Sequence, residues 1–401
     1  MIALAIGSLW LALSVVAGMI VSRRYPQLAS VAAVLGLAVV AIFLTITFLD
    51  MPYGSGTDEV VYHSQASGVR LSLALTGDVT SQYASLDQGK YGWPTVLGVI
   101  YWLAGNTSPY LGVFINANLT FVTLLLAAVA GQRLYPRTTP GPWHALMLVG
   151  SPTVLIFGAS LLREASAWLA VILSVHAVLC ALRRRKAVAL GLLLVAEALA
   201  LWVRTPLAVI IAAAFVAAVF LAAVFRRWGL RVAAVVLVGS FGAGLKVLVP
   251  VLAAAGYSPS LLLVARDYLA TVSTTGFVAR DPFTPLGMVE ALVRVGFGPF
   301  PWEYAPAGVW LWVLGNHLYW LALVVVVVLA LRRGGLDPAR VAVVTLCAIL
   351  LAGIAVGLTN YGIVVRMRGT LVIAVLPLAW GGLSGMRRQT TTQEVACESV
   401  S

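Results

Sequence analysis

Long apolar stretches separated by short polar turns dominate the chain. A helix that crosses a bilayer needs about 20 apolar residues. Such stretches fall at 3–22, 27–48, 110–132, 142–160, 165–182, 187–203, 206–225, 230–254, 307–331, 339–358 and 369–386. They predict an all-α, polytopic membrane protein of about eleven transmembrane helices, forming a single transmembrane domain over 1–386. Residues 93–105 (WPTVLGVIYWLAG) are apolar but too short to cross. They read as an interfacial or re-entrant helix. A second interfacial helix is predicted over 286–296, where Glu290 and Arg294 stand one helical turn apart.

Charge gives these helices a direction. Basic residues cluster on alternate connections: Arg23/Arg24, Arg133/Arg137, Arg183 to Lys186, Arg226/Arg227/Arg231, Arg332/Arg333/Arg340 and Arg387/Arg388. Cytoplasmic loops carry such an excess, so the N-terminus is expected outside and the C-terminus in the cytoplasm, across an inner or plasma membrane. Two long connections, 49–109 and 255–306, then face away from the cytoplasm and bear the interfacial helices. The polar tail 387–401 is expected to be disordered and cytoplasmic. The net charge of +12 is therefore a topological signal, and no nucleic-acid partner is expected. With 61% hydrophobic and 10% charged residues, the chain is far from a soluble domain, which carries about 25% charge. The N-terminal apolar run has its arginines after it, so it does not read as a cleavable signal. Three cysteines make no disulfide framework.

Ten of the fourteen acids fall on the expected outer side, together with Arg70, Lys90, Arg163, Arg204, Arg266, Arg280, Arg294, Arg366 and Arg368. Cations there run against the topological bias. Either neighbouring acids pair with them or an anionic ligand at headgroup level retains them. The sharpest local feature is Gly54-Ser55-Gly56-Thr57-Asp58-Glu59-Val60-Val61-Tyr62-His63. Thr57 suits a helix N-cap, with Asp58 and Glu59 at its positive end. Asp58 then faces Tyr62, and Glu59 faces His63. Asp58 and Glu59 are candidate catalytic bases for an acceptor hydroxyl, with Tyr62 and His63 as sugar or acceptor contacts. Asp58, Glu59 and His63 also form a thin donor set for a divalent cation; no cofactor is certain and no metal site is assigned.

Arg163, Arg204, Arg366 and Arg368 fall at expected outer helix ends, the last two just before the final span. Guanidinium forks match phosphate oxygens, so the four are candidate ligands for a lipid phosphate; snorkelling is the alternative for each. Within the membrane, Glu197 and Lys246 are expected to pair, with Arg204 as the rival partner of Glu197. The run Gly296 to Tyr304 is rigid and aromatic, and Trp302 and Glu303 are candidate sugar or acceptor contacts.

Two spans around a basic turn, then Gly56-Thr57-Asp58 with Tyr62, then Lys90-Tyr91-Gly92-Trp93 and a short helix, resemble the EpsG-type polysaccharide polymerases. These belong to the wider group of Wzy-like and GT-C-like membrane glycosyltransferases. Leu162-Arg163-Glu164-Ala165-Ser166-Ala167 is similar to the R-Q-x-x-A start of a later span in that family, with Glu164 where Gln is usual. The histidine common after the following span is absent, and Arg204-Thr205-Pro206 stands near its place. The resemblance implies transfer of a sugar or growing glycan from a polyprenyl-(di)phosphate carrier to a glycan acceptor outside the cell. By the same resemblance Asp58, Tyr62 and Arg163 occupy the family's loop acid, loop tyrosine and span-leading arginine. A transporter or flippase of lipid-linked glycan is the rival reading, with Glu197 and Lys246 as its best support. A non-catalytic cell-envelope assembly protein is the third.

Overall fold

The computed structural model describes residues 2–49, 57–79, 92–254, 264, 280–300, 307–357 and 361–383. Among these there is no strand, and the chain is an all-α polytopic membrane protein. The helices run α1 (Ile2–Arg24), α2 (Ala29–Phe48), α3 (Thr57–Thr76), α4 (Gly92–Ala104), α5 (Pro109–Leu134), α6 (Pro142–Val149) and α7 (Pro152–Gly158). They continue with α8 (Glu164–Leu182), α9 (Lys186–Val203), α10 (Thr205–Ala254), α11 (Pro285–Phe297), α12 (Ala307–Gly334), α13 (Pro338–Val356) and α14 (Tyr361–Ala379), closed by a 3-10 turn, Trp380–Leu383.

Eight helical stretches among the described residues are long and apolar enough to cross a membrane. Those of α5, α8 and α14 are each 78% buried and form the centre of the bundle. The crossings of α2 and α9 are only 17% and 22% buried and lie at the periphery. Helix α10 covers two expected spans and is interrupted at Gly229, whose φ of 79° lies in the left-handed region glycine tolerates. Helix α4, with 13 residues, is too short to cross; its buried face packs on α3.

Two expectations need correction. The stretch 142–160 is not one helix. Pro152 lacks the N–H a continuing helix requires, and Ser151 caps the new helix by accepting from the Val154 amide at 3.3 Å. Residues 159–163 then run without helical structure up to α8. The last span begins at Tyr361 rather than 369, so Arg366 and Arg368 lie inside α14 and do not precede it. Successive residues on a helix turn by about 100°, and the two arginines therefore leave α14 on nearly opposite sides.

The basic turns gather at one end of the bundle. Arg133 Nε donates to the Tyr25 hydroxyl at 3.1 Å, and Arg183 Nη2 to the Arg133 carbonyl at 3.3 Å. Arg340 Nη2 reaches the Leu134 carbonyl at 3.3 Å, and Arg333 Nη1 the Gly382 carbonyl at 3.2 Å. These arginines hold the C-terminal carbonyls of α5 and of the 3-10 turn Trp380–Leu383, acceptors of the kind a helix end leaves for other partners. Asp58, Arg163, Arg204 and Arg366 lie towards the opposite end.

Candidate functional site

The unwound stretch at the end of the broken crossing is the foundation of the site. Non-helical backbone at membrane depth survives only when protein groups satisfy its N–H and C=O. Here they do. Thr120 Oγ1 donates to the Gly158 carbonyl at 2.9 Å, and Asn116 Nδ2 donates to the Ser160 and Leu162 carbonyls, both at 2.6 Å. The Trp93 indole N–H donates to the Leu161 carbonyl at 3.0 Å, while the Leu161 amide donates to Glu59 Oε1 at 2.9 Å. Three elements, α3, α4 and α5, thus brace the backbone of Gly158, Ser160, Leu161 and Leu162. Glu59 is 0% exposed, and its carboxylate faces this backbone.

Helix α4 is placed by close approach to its neighbours. A Cβ on Gly92 would lie 1.7 Å from Trp202 Cδ1 and 1.8 Å from the Trp202 carbonyl oxygen, so only glycine fits where α4 meets the end of α9. His63 reaches the same helix from α3, with Nδ1 3.0 Å from the buried Tyr101 hydroxyl. Burial holds the His63 pKa below its usual value, which favours a neutral ring.

The braced backbone delivers Arg163 and Glu164 to a charged cluster built from four parts of the chain. Arg366 on α14 is hydrogen-bonded and ion-paired to Asp58 at the start of α3. Its guanidinium also lies 5.7 Å from the Phe157 ring centre. Arg204, in the turn between α9 and α10, pairs with Glu164 Oε1 at 3.5 Å and donates to Met367 Sδ. Arg163 Nη1 donates to the Val203 carbonyl at 2.9 Å, closing the end of α9. Tyr62, one turn after Asp58, sits within electrostatic reach of Arg163, Glu164, Asp58 and Arg204. Burial raises its pKa, which favours the protonated phenol. Burial, with Arg163 alongside, lowers the pKa of Arg204 to about 10, which leaves it charged at neutral pH.

Asp58 is 52% exposed, whereas Glu164 is 2% exposed. The Glu164 Oε2 atom is buried and has no hydrogen-bond partner among the described residues. The cluster therefore pairs a solvent-facing carboxylate with a buried one across three guanidiniums. Such an arrangement can bind an oxyanion and take a proton from a hydroxyl group.

The structure brings together Asp58, Tyr62, Arg163, Arg204 and Arg366. Glu59 and His63 lie next to them on α3 but face the break and α4. Arg368 does not join them: it turns towards α11 and donates to the Val295 carbonyl at 3.3 Å and to the Gly298 carbonyl. Trp302 and Glu303 lie outside the described residues, as do the tail 387–401 and the side chains of Thr57 and Lys246. Glu197 therefore has no described pairing with Lys246. Arg204 turns to Glu164 instead of Glu197, and Glu197 Oε1 is buried without a hydrogen-bond partner among the described residues. Among the described residues no group of three or more His, Cys, Asp or Glu could hold a metal ion.

Glu164 and Trp93 stood out in the sequence only by their places in motifs, and Asn116 did not stand out at all. A polar Asn within a central span was the available signal for Asn116, because a buried amide demands partners. No protein-family model, curated protein or solved structure matches the chain.

Proposed function

We propose that the protein is a membrane-embedded glycosyltransferase that moves a sugar, or a growing glycan, from a polyprenyl-(di)phosphate carrier to an acceptor hydroxyl on the extracytoplasmic face. The observation that carries this reading is the convergence of Asp58, Tyr62, Arg163, Glu164, Arg204 and Arg366 at one end of the bundle, opposite the basic turns. The positive-inside rule puts the basic turns in the cytoplasm and so puts the cluster at the outer headgroup level.

Each group has a chemical part. The guanidiniums of Arg163, Arg204 and Arg366 bind the carrier phosphate and stabilise the charge it gains as the glycosidic C–O bond breaks. Each charge-assisted hydrogen bond of this kind contributes about 1.5–3 kcal/mol. Asp58, held by Arg366 and half exposed, accepts the proton of the acceptor hydroxyl as its oxygen bonds to the anomeric carbon. Tyr62 donates a hydrogen bond within the same site. Outside the cell no soluble nucleotide sugar is at hand, which favours a lipid-linked donor.

The test is glycan transfer in membranes from cells expressing variants. Asp58→Asn and Arg163→Ala should each lower transfer at least about 100-fold while the protein still inserts and folds. Full activity in both would remove this reading. A flippase is the second reading, favoured by the broken α6–α7 crossing and by Glu197 within α9. It requires Glu197→Gln to abolish lipid-linked glycan movement while Asp58→Asn leaves it intact.

A further inference from the structure

Helices α1 and α2 pack more closely on α5 than on each other, and a groove runs between them. Gly18 on α1, with Ala32 and Gly36 on α2, keeps it open, and Phe121 of α5 forms its floor. A Cβ on Gly18 or Gly36 would lie 3.7 or 3.8 Å from the Phe121 ring, at ordinary contact distance. The groove has a volume of about 410 Å³, and its lining is apolar apart from Ser14, Ser22 and Asn118. In its deeper half Ser14 Oγ donates to Asn118 Oδ1 at 2.6 Å, and Asn118 Nδ2 donates to the Phe114 carbonyl at 2.8 Å. Those polar groups satisfy each other and leave the rest of the groove to an apolar occupant.

Length and charge identify that occupant. The walls run from Ser22 back to Leu11 on α1 and from Ala29 to Val40 on α2. Each covers about 17 Å at the helical rise, close to the roughly 15 Å of half a hydrocarbon core. The shallow end opens at the first basic turn, where Arg23 and Arg24 directly follow Ser22 and both are exposed. At the same turn the Tyr25 hydroxyl accepts from Arg133 Nε at 3.1 Å and lies within hydrogen-bonding reach of Arg24. A helix about 10 Å across and 17 Å long would need about 1,300 Å³, so a helix of a second copy is too thick to enter. An alkyl chain, about 4–5 Å thick from carbon contact distances, fills about 200–350 Å³ over the same length. Cations at headgroup depth above an apolar channel one leaflet deep complement an anionic lipid.

We propose that this groove holds one acyl chain of an anionic phospholipid from the leaflet at the basic end, with the lipid phosphate bound by Arg23 and Arg24. The site opens at the opposite end of the bundle from Asp58 and does not depend on glycosyl transfer. Its occupant ties α1 and α2 together where the chain itself supplies little contact.

Native mass spectrometry of the full chain in neutral detergent tests this, with phosphatidylglycerol, phosphatidylcholine and inorganic phosphate titrated separately. One phosphatidylglycerol should bind saturably, about tenfold or more tightly than phosphatidylcholine, and inorganic phosphate should give no saturable adduct. Gly36→Leu favours the helix and places its side chain in the groove, so lipid binding should weaken about tenfold or more while folding is kept. Replacing Arg23 and Arg24 together by Gln should remove the preference for phosphatidylglycerol. The same change at Arg226 and Arg227, in another basic turn, should leave it. If the Arg23/Arg24 variant does not insert, Gly36→Leu and the wild-type titrations decide. Equal binding of the two lipids, unchanged binding in Gly36→Leu, or loss of the preference in both arginine variants would overturn the site. A dimer that Gly36→Leu disperses would put a second copy over the groove in place of the lipid.

Discussion

Glu59 offers the cleanest separation of scaffold from chemistry. It stands beside Asp58 in sequence, yet its Oε1 accepts the Leu161 amide at 2.9 Å and it has no exposed surface. Glu59→Gln keeps an acceptor of the same shape and sheds the burial cost of the charge. The two effects offset to within about 1 kcal/mol. Glu59→Leu leaves the Leu161 N–H unmet in a buried site, at about 1–3 kcal/mol. That corresponds to a fall in thermal midpoint of roughly 1–4 °C for a chain of this length. Scanning fluorimetry in detergent at one fixed scan rate ranks the variants, since membrane proteins seldom unfold reversibly. Transfer activity should stay within about threefold of wild type in Glu59→Gln and fall together with folding in Glu59→Leu. A Glu59→Gln protein with a normal midpoint but about 100-fold lower transfer would refute the assignment and make Glu59 a participant in the chemistry.

Three further outcomes are expected. The Asp58–Arg366 pair is partly exposed, so Asp58→Asn should change stability by less than about 1 kcal/mol while removing transfer; a large drop in thermal midpoint would instead make the pair structural. His63 favours the neutral ring, so its contribution is full above about 6.5 and is lost as pH falls from there towards the lowered folded value. Midpoints measured from pH 7 down to 5 should accordingly fall less steeply in His63→Gln than in wild type, and superimposable curves would contradict this. Gly92→Ala drives a Cβ into the Trp202 backbone and should cost about 1–3 kcal/mol through displacement of α4, read as increased protease cleavage near residues 92–104; wild-type resistance would argue against the close approach.

The helices were legible because hydrophobic length is a direct signal, and the basic residues at alternate turns are gathered at one end of the bundle. The break in 142–160 was less visible. Gly150, Ser151 and Pro152 mark it, but summed hydropathy does not register a missing hydrogen bond. The start of α14 was hidden for a related reason: Arg366 and Arg368 interrupt the apolar run, so the span seemed to begin after them. Knowing where a helix starts is what separates their directions, one towards Asp58 and the other towards α11. Within the site, residue types and helix-end positions pointed to Asp58, Tyr62, Arg163 and Arg204. The Arg204–Glu164 pair joins residues forty positions apart, and no local spacing carries that information.

A structure of the protein with a bound polyprenyl phosphate would test the central proposal most directly. The phosphate oxygens are expected within hydrogen-bonding distance of Arg163, Arg204 and Arg366, with Asp58 facing the position of the sugar. Phosphate density elsewhere on the molecule, with those three arginines still engaged as in the unliganded protein at saturating lipid, would contradict it.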